Sequence, residues 1–535
     1  MKNKNIIYII LAYFLLILFY DLGNPDAITQ GTEGFYLQIA KEMAEKNSWL
    51  TPYYHNLPHW SKPPIHFWIS MPFNMMIKGH HLLISRIVML MVSFLGIFLL
   101  SNWLKKHFSI KKIISLFFFF STLGILKYSR IFMMEITLTV FNFVSIIYLY
   151  DYLTEKKNKD LLISALFLAA ATLVKGPISI VMCGITCAIY FFNQKNKIEY
   201  IKLLLKFFTL TGFLSSLWFI ACYIKYGQYF IEYFFIRENM GKFSSRAYPI
   251  SSVINGLLLY GFPWTFLLPT SIYIYLKKFK NKQLKNIEIF LMSSFLGYYL
   301  IWFIPNQKSY HYAIPALPYL LILILNSVNT KNFLENVNNK FKIFFNYSIL
   351  GISSLFLFLM ILATKIAYSD KDLPLISIIL CLLISLSSLL YFCRAKNILN
   401  KSIAIYIFNT ITWIVFVPNF YLPLIPNNIV TFLANKNNIS AYYKKSYFIE
   451  EKLNKKIQIL NQGEISSKLI NTNQLIIIQK EMFNKFKLQN NARIIKVWNK
   501  WKRGNKTKKI LSAIKKGDLQ ILKEKMYIIT GKEQI

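Results

Sequence analysis

The sequence predicts a mainly α protein: a polytopic transmembrane helical bundle followed by a small α/β domain outside the membrane. Three observations lead there. Of 535 residues, 55% are hydrophobic and only 16% are charged, against about a quarter charged in soluble domains. Apolar runs of helical length recur from residue 6 to residue 418, most of them near the roughly 20 residues needed to cross a hydrocarbon core of about 30 Å. Beyond residue 420 the long runs stop, and short β-type runs alternate with amphipathic stretches rich in Lys and Asn. A cytosolic enzyme is excluded by the first observation alone.

Taken in order, the first run, 6–20, follows Met1-Lys-Asn-Lys-Asn. It starts like a signal peptide, but no small-residue cleavage site follows, so it reads as an uncleaved first span. Further runs lie at 82–104, 113–127, 136–154, 161–175, 177–193, 202–224, 253–276, 287–304, 313–327, 343–363, 373–393 and 402–418, which makes about thirteen spans. The chain carries 62 Lys plus Arg against 23 Asp plus Glu, a formal charge of +39. In a soluble protein that would suggest nucleic acid. Here the lysines fall in alternate connectors (Lys105, Lys106, Lys111 and Lys112; Lys156, Lys157 and Lys159; Lys195 and Lys197; Lys277 to Lys285), so that side and the N-terminus are cytoplasmic and no nucleic-acid partner is expected. An odd span count then places the C-terminus outside, in the periplasm. The five cysteines sit in or beside apolar runs and suggest neither a disulfide framework nor a metal knuckle.

The segment 21–81 is too long for a simple connector. Its stretch Glu33 to Lys46 places Phe35, Ile39 and Met43 on one helical face, as a helix lying in the membrane interface would. Pro63-Pro64-Ile-His-Phe-Trp opens a second interfacial helix with proline at its start. The division is therefore 1–420 for the membrane domain and 421–535 for the outer α/β domain, whose short runs are 457–460, 475–478, 494–498 and 526–529. Its basic surface suits anionic membrane lipids as readily as plain solvation.

Glu33-Gly-Phe-Tyr-Leu-Gln-Ile-Ala-Lys-Glu-Met, Asn47-Ser-Trp-Leu-Thr-Pro and Ser61-Lys-Pro-Pro-Ile-His-Phe-Trp resemble the first periplasmic loop of the family that holds the bacterial lipid A aminoarabinose transferases (ArnT) and the protein mannosyltransferase-like enzymes. Arg86, Tyr128-Ser-Arg-Ile-Phe-Met-Met-Glu135, Lys175-Gly-Pro177, Arg237-Glu-Asn-Met-Gly-Lys-Phe243, Gly261-Phe-Pro-Trp264 and the stretch from Gln307 to Pro318 follow in the order expected of it. The resemblance covers residues 1–420. It implies a glycosyltransferase of the GT-C type, with about thirteen spans and an outer C-terminal domain. Such an enzyme takes a sugar from undecaprenyl phosphate and passes it, with inversion, to lipid A or a related glycolipid at the periplasmic face of the inner membrane. The sugar would be an amino sugar such as aminoarabinose or galactosamine, or a hexose.

That chemistry needs an acid to assist the acceptor, cations to hold the departing phosphate and an apolar groove for the prenyl tail. The resemblance places Glu33 and Glu135 as catalytic candidates and Lys62 at the carrier phosphate. Arg86, Lys175, Arg237, Lys308 and Tyr312 are further candidates for phosphate or sugar contact. Glu33 stands where the family shows Asp-Glu, here Thr32-Glu33, with capping of its helix as the plain alternative; for Glu135 that alternative is a structural pair with Arg130. Some family members hold a divalent ion at two positions that here read Ser61 and Asn239, so no metal is expected at that place. His55, His59 and His66 crowd the same loop but suit structural hydrogen bonding better. Transfer to protein hydroxyls is the alternative within the class. A transporter or flippase is the alternative outside it, disfavoured because the acids cluster in outer loops rather than within spans. A third reading is a family member that binds the carrier without catalysis.

Overall fold

The computed structural model describes residues 13, 16–26, 32–77, 79–241, 247–328, 339–367, 375–416, 424–442, 447–460, 462–470, 474–501 and 507–531. Among these, eight helices are long and apolar enough to cross a membrane, and a bent pair would make nine. Every predicted run after the first coincides with a helix or a broken helix. The count of thirteen is not reached by length and apolarity alone. The run 113–127 is split into Lys112–Phe120 and Leu123–Tyr128, and 253–276 is bent by 100° between Ser251–Tyr260 and Trp264–Lys280. Ile178–Phe191 has 14 residues, about 21 Å of helix. The first run, 6–20, and the boundary drawn at 420 fall largely or wholly outside the described residues.

The helices sort their charge by end. Along Met134–Glu155, Glu135 stands at one end and Asp151 near the other, about 24 Å apart at 1.5 Å per residue. At the Asp151 end that carboxylate gathers Lys106 Nζ at 2.9 Å, His107 Nε2 at 2.8 Å and Trp103 Nε1 at 3.2 Å. The lysine-rich connectors near 105–112 and 156–159 lie at this end. At the opposite end are Glu135, Arg86 in the first turns of His81–Phe108, and Lys175 as the last residue of Asn158–Lys175.

The two broken helices lock into each other. Pro263 has no N–H for a helical bond, and the Gly261-Phe-Pro break lies against the break at Ser121-Thr122. Leu123 N donates to Phe262 O at 3.0 Å, while Trp264 Nε1 donates to Phe118 O at 3.0 Å and to Ser121 Oγ at 3.1 Å. Two glycines permit the close approaches. A Cβ on Gly124 would meet Tyr260 Cβ at 2.7 Å, and one on Gly256 would meet Tyr310 O at 2.1 Å. Gly256 thereby sets the position of the 3-10 segment Tyr310–Ala316. Gly256→Ala is expected to push that segment outward and to cost about 1–3 kcal/mol, as overpacking does, read as a lower unfolding temperature in detergent.

The C-terminal domain carries a five-stranded sheet in the order Gln458–Ile459, Ile439–Tyr442, Leu475–Gln479, Lys523–Gly531, Ala492–Trp501. The first three strands are parallel and the last two antiparallel. Four strands match the predicted runs; Ile439–Tyr442 did not stand out, because Ser440 and Ala441 interrupt its apolar character. The domain packs onto the first loop. Phe448 lies 2.9 Å from where a Gly34 side chain would begin. Asp26 Oδ1 accepts from Leu424 N at 2.7 Å, Asp26 also pairs with Lys452, and Lys41 stands 3.9 Å from Glu450.

This packing corrects the expectation for the helix at Glu33, which spans Glu33–Glu45. It is not laid on the membrane surface. Tyr36, Leu37, Ile39, Ala40 and Met43, which point in several directions around its axis, are all buried, because bundle and C-terminal domain cover it from both sides. The prolines at 63–64 open Ile65–Trp68, and Met71–Met76 follows. The latter leaves Phe73, Met76 and the following Ile77 exposed.

Candidate active site

The first loop is held by a small set of polar ties. Tyr53–Tyr54 and Leu57–Pro58 pair as a hairpin whose turn residues His55 and Asn56 both have positive φ, 51° and 64°, the pattern of a two-residue type I′ turn. Glu42 closes it, its carboxylate accepting from His55 N and Asn56 N at 2.8 Å each and from Gln38 Nε2 at 2.7 Å. Next along, Trp60 is fully buried among Tyr226, Phe230 and Tyr233, with ring centroids 4.7, 5.8 and 5.7 Å away. That box fixes the approach of the chain to Lys62.

Glu33 and Arg86 form one buried unit. Arg86 Nε donates to Glu33 Oε1 at 2.8 Å and Nη2 donates to Oε2 at 3.1 Å, with the side chains 1% and 0% exposed. Phe132 N also donates to Oε1 at 2.9 Å, and Arg86 Nη1 donates to Leu22 O at 2.9 Å. Both carboxylate oxygens are thus engaged in a bidentate pair that ties the first loop to the second predicted span, and the Phe132 bond ties it to the turn before the fourth.

Glu135 sits in a different setting. Its Oε1 lies 3.3 Å from His311 Nε2 and 3.7 Å from Lys175 Nζ. Its Oε2 is buried and has no hydrogen-bond partner among the described residues. Ser309 Oγ is 2.7 Å from His311 Nδ1; with Ser309 donating, the imidazole proton is on Nε2, facing Glu135. Lys175 Nζ lies over the rings of Tyr312 at 4.9 Å and Trp302 at 5.3 Å, a cation–π setting. Lys127 Nζ is 5.2 Å from the Tyr128 ring and 5.4 Å from that of Tyr260, within reach of the charges of Glu135 and Glu33. Arg130, the anticipated structural partner of Glu135, donates instead to Tyr20 O.

A second group of cations approaches from the other flank. Arg237 belongs to a π-helix, Glu232–Met240, its guanidinium carbon 5.3 Å from the Tyr233 ring. π-Helical turns are rare and concentrate at functional sites. The Tyr233 hydroxyl meets His59 Nδ1 at 2.9 Å. Burial first, and then the charges of Lys62 and Arg237, push His59 down to about 4. The buried Tyr36 hydroxyl, which burial pushes up, feels Glu135, Tyr312 and Glu238 and so lies between the two groups. Asn239 donates to Phe234 O at 2.6 Å, and Gly176 stands 3.7 Å, measured from a built Cβ, from Asn239 Oδ1. The Lys175 turn thus rests on the π-helix. Lys308 turns its Nζ onto Pro305 O at 2.6 Å, and Lys62 onto Ser61 O at 2.6 Å.

The depressed value of His59 has a consequence for stability. A histidine kept neutral by the fold, below its ordinary 6.5, contributes stability that is complete above about pH 6.5 and is lost as pH falls toward 4, since the unfolded chain then binds the extra proton. His66 is also lowered, to about 3 by burial. The unfolding temperature is therefore expected to drop between pH 6.5 and 4, and His59→Asn to remove part of that slope.

Lys127, His311 and Tyr36 join the site without having been singled out in the sequence. A signal existed for the first: Lys127 ends an apolar run, where an ionisable side chain is a functional candidate. Of the sequence candidates, Glu135, Lys175 and Tyr312 share one cluster, and Lys62 and Arg237 lie around His59. Ser61 and Asn239 offer neither anion nor imidazole, and among the described residues no three His, Cys, Asp or Glu side chains converge as a cation cage.

An apolar cavity of about 470 Å³ is lined by Leu123, Phe262, Phe266, Phe344, Phe356 and Trp413 among others. Leu123 and Lys127 belong to the same short helix, so cavity and cation are about one turn, roughly 6 Å, apart along its axis.

Residues 61–224 match the family model described as dolichyl-phosphate-mannose-protein mannosyltransferase. The chain is 27% identical over 356 residues to an uncharacterised protein of Aquifex aeolicus, covering 65% of this chain and 68% of that one. It is 22% identical over 342 residues to the undecaprenyl phosphate-alpha-4-amino-4-deoxy-L-arabinose arabinosyl transferase of Shewanella sediminis, covering 60% and 58%. The matched stretch thus spans between 58% and 68% of those two relatives. In fold, ArnT from Cupriavidus metallidurans bound to undecaprenyl phosphate superposes with a TM-score of 0.73, at 12% identity, over 98% of each chain. The chain thus shares the fold of that protein over nearly its whole length. In sequence, the likeness to the arabinosyl transferase of Shewanella sediminis covers 60% of the chain.

Proposed function

We propose that this chain transfers a sugar from an undecaprenyl-phosphate-linked donor to lipid A or a related glycolipid at the periplasmic face of the bacterial inner membrane, with its N-terminus cytoplasmic and its C-terminal domain periplasmic. The observation that carries the reading is Glu135. It is a buried carboxylate with one free oxygen, flanked by Lys175 and His311 and within reach of the charge of Lys127, and the helix that carries Lys127 reaches, at Leu123, an apolar cavity suited to part of a prenyl tail.

An acceptor hydroxyl would donate to Glu135 Oε2 and pass its proton there as its oxygen attacks the anomeric carbon. The bond from that carbon to the phosphate oxygen breaks, and its electron pair leaves with the phosphate. Lys175 and Lys127 oppose the charge gathering on the departing oxygen, where preorganised cations act most strongly; Lys62 and Arg237 approach from the far flank. Glu33 holds Arg86 and positions the loop. The amino sugar or hexose and the lipid A acceptor rest on the ArnT relationship. Ser61 and Asn239 bring neither a carboxylate nor an imidazole to the site, and we propose that the transfer uses side chains alone.

Proteoliposomes containing the full chain, a radiolabelled undecaprenyl-phosphate sugar and lipid A are expected to yield labelled lipid A, and Lys175→Met to reduce the rate at least about tenfold. The matched mannosyltransferase family favours one second reading, transfer to protein Ser or Thr hydroxyls. Label appearing in added protein, with lipid A unchanged in mass, would select it.

A further inference from the structure

His311 stands against Glu135, yet in the transfer step it moves no proton and holds no phosphate. It lies in the 3-10 segment Tyr310–Ala316, with Nε2 3.3 Å from Glu135 Oε1 and Nδ1 2.7 Å from Ser309 Oγ. Ser309 occupies the N-cap of that segment, where a hydroxyl usually accepts from a backbone N–H of the first turn. Its side chain makes no such bond and turns to the imidazole instead. The segment is pinned on both flanks, by Tyr310 O against Gly256 and by the Tyr312 ring 4.5 Å from that of Trp302.

The roles along this chain follow from which atoms can donate. An ionised carboxylate only accepts, and a neutral imidazole has one donor and one acceptor nitrogen. With Oε1 and Nε2 facing each other, the ring proton belongs on Nε2; Nδ1 is then bare and takes the Ser309 proton. A separation of 3.3 Å suits a catalytic contact that tightens once substrate is bound. Oε1 thus has His311 on one side and Lys175 Nζ at 3.7 Å on the other, while Oε2 keeps no partner among the described residues.

We propose that Ser309 and His311 form an orienting chain that fixes Glu135, so that Oε2 rather than Oε1 meets the acceptor hydroxyl and the carboxylate stays ionised. His311 is a positioning residue, acting through Glu135, and the proposal rests on the glycosyltransferase reading above. A hydrogen bond to the charged form of a carboxyl group favours that form, so loss of the Nε2–H leaves Glu135 protonated up to a higher pH. The other groups facing Glu135 are Lys175, Lys127 and the hydroxyls of Tyr36, Tyr128, Tyr260 and Tyr312; a change at His311 leaves all of them in place.

Two amides separate this role from a merely structural one. A glutamine amide reaches the place of Nε2, and an asparagine amide only that of Nδ1. The His311 side chain is 20% exposed, so either amide fits without overpacking. His311→Asn is expected to lower kcat for sugar transfer at least about tenfold and to move the acid limb of the kcat–pH profile up by about one unit, with the unfolding temperature little changed. His311→Gln is expected to recover most of both. Two variants that behave alike, or a limb that stays in place in His311→Asn, would overturn the orienting role. Ionisation of Glu135 is also read without turnover, from the infrared carboxyl band that Glu135→Gln removes; its midpoint is expected to rise by about one unit in His311→Asn and not in His311→Gln. The two readings then fail separately. Wild-type sugar transfer with an unmoved midpoint in His311→Asn sinks the orienting chain alone, whereas a midpoint that moves as expected in a protein that transfers no sugar sinks the glycosyltransferase reading alone.

Discussion

Glu135→Gln is expected to lower kcat for sugar transfer by about 10²- to 10⁴-fold, the usual contribution of a positioned general base, with little change in folding. The amide keeps the shape and can still bond to His311, but it cannot take the acceptor proton. Its neighbours make the effect specific: Lys175 at 3.7 Å keeps a nearby cation, and the free Oε2 is the atom removed from service. Initial rates in proteoliposomes, alongside donor binding, measure this. Full activity in Glu135→Gln would remove Glu135 from the chemistry and leave Glu33 as the candidate base.

Glu33→Gln carries the largest expected effect on stability. With both side chains buried and bidentate, removing the negative charge strands the Arg86 guanidinium, and breaking such a pair typically costs about 3–5 kcal/mol. The loss is expected as a strongly lowered unfolding temperature and poor yield. Exchanging both members, as in Glu33→Leu with Arg86→Met, is expected to recover much of it, since a buried pair and its apolar replacement are often close in energy. A Glu33→Gln chain that folds like wild type but transfers no sugar would instead make Glu33 the base.

These two carboxylates looked alike in the sequence, each in an outer motif near a basic residue. Their difference lies in what packs around them. Arg86 is 53 positions from Glu33 and His311 is 176 from Glu135, and no periodicity in either segment points to its partner. The first-loop helix is a similar case. Its ends were legible to within a residue, yet its setting was not, because only the C-terminal domain, four hundred positions on, covers the face that a membrane surface would otherwise take. Arg130 shows the converse: nearness in sequence to Glu135 suggested a pair, and the turn at 129–133 aims the guanidinium at Tyr20 instead.

What the sequence by itself determined is the layout along the bilayer normal. Helix positions follow from runs of apolar residues, and the sorting of lysines to one end follows from their cost in hydrocarbon; both are local properties of the chain. Only the tertiary structure decided which acid meets which cation, where the helices break, and how the outer domain buries the first loop. Those outcomes depend on which helix ends are neighbours in the plane of the membrane, and that arrangement is set by side-chain packing and by close glycine contacts such as those at Gly124 and Gly256, which leave no trace in the spacing of residues along one segment.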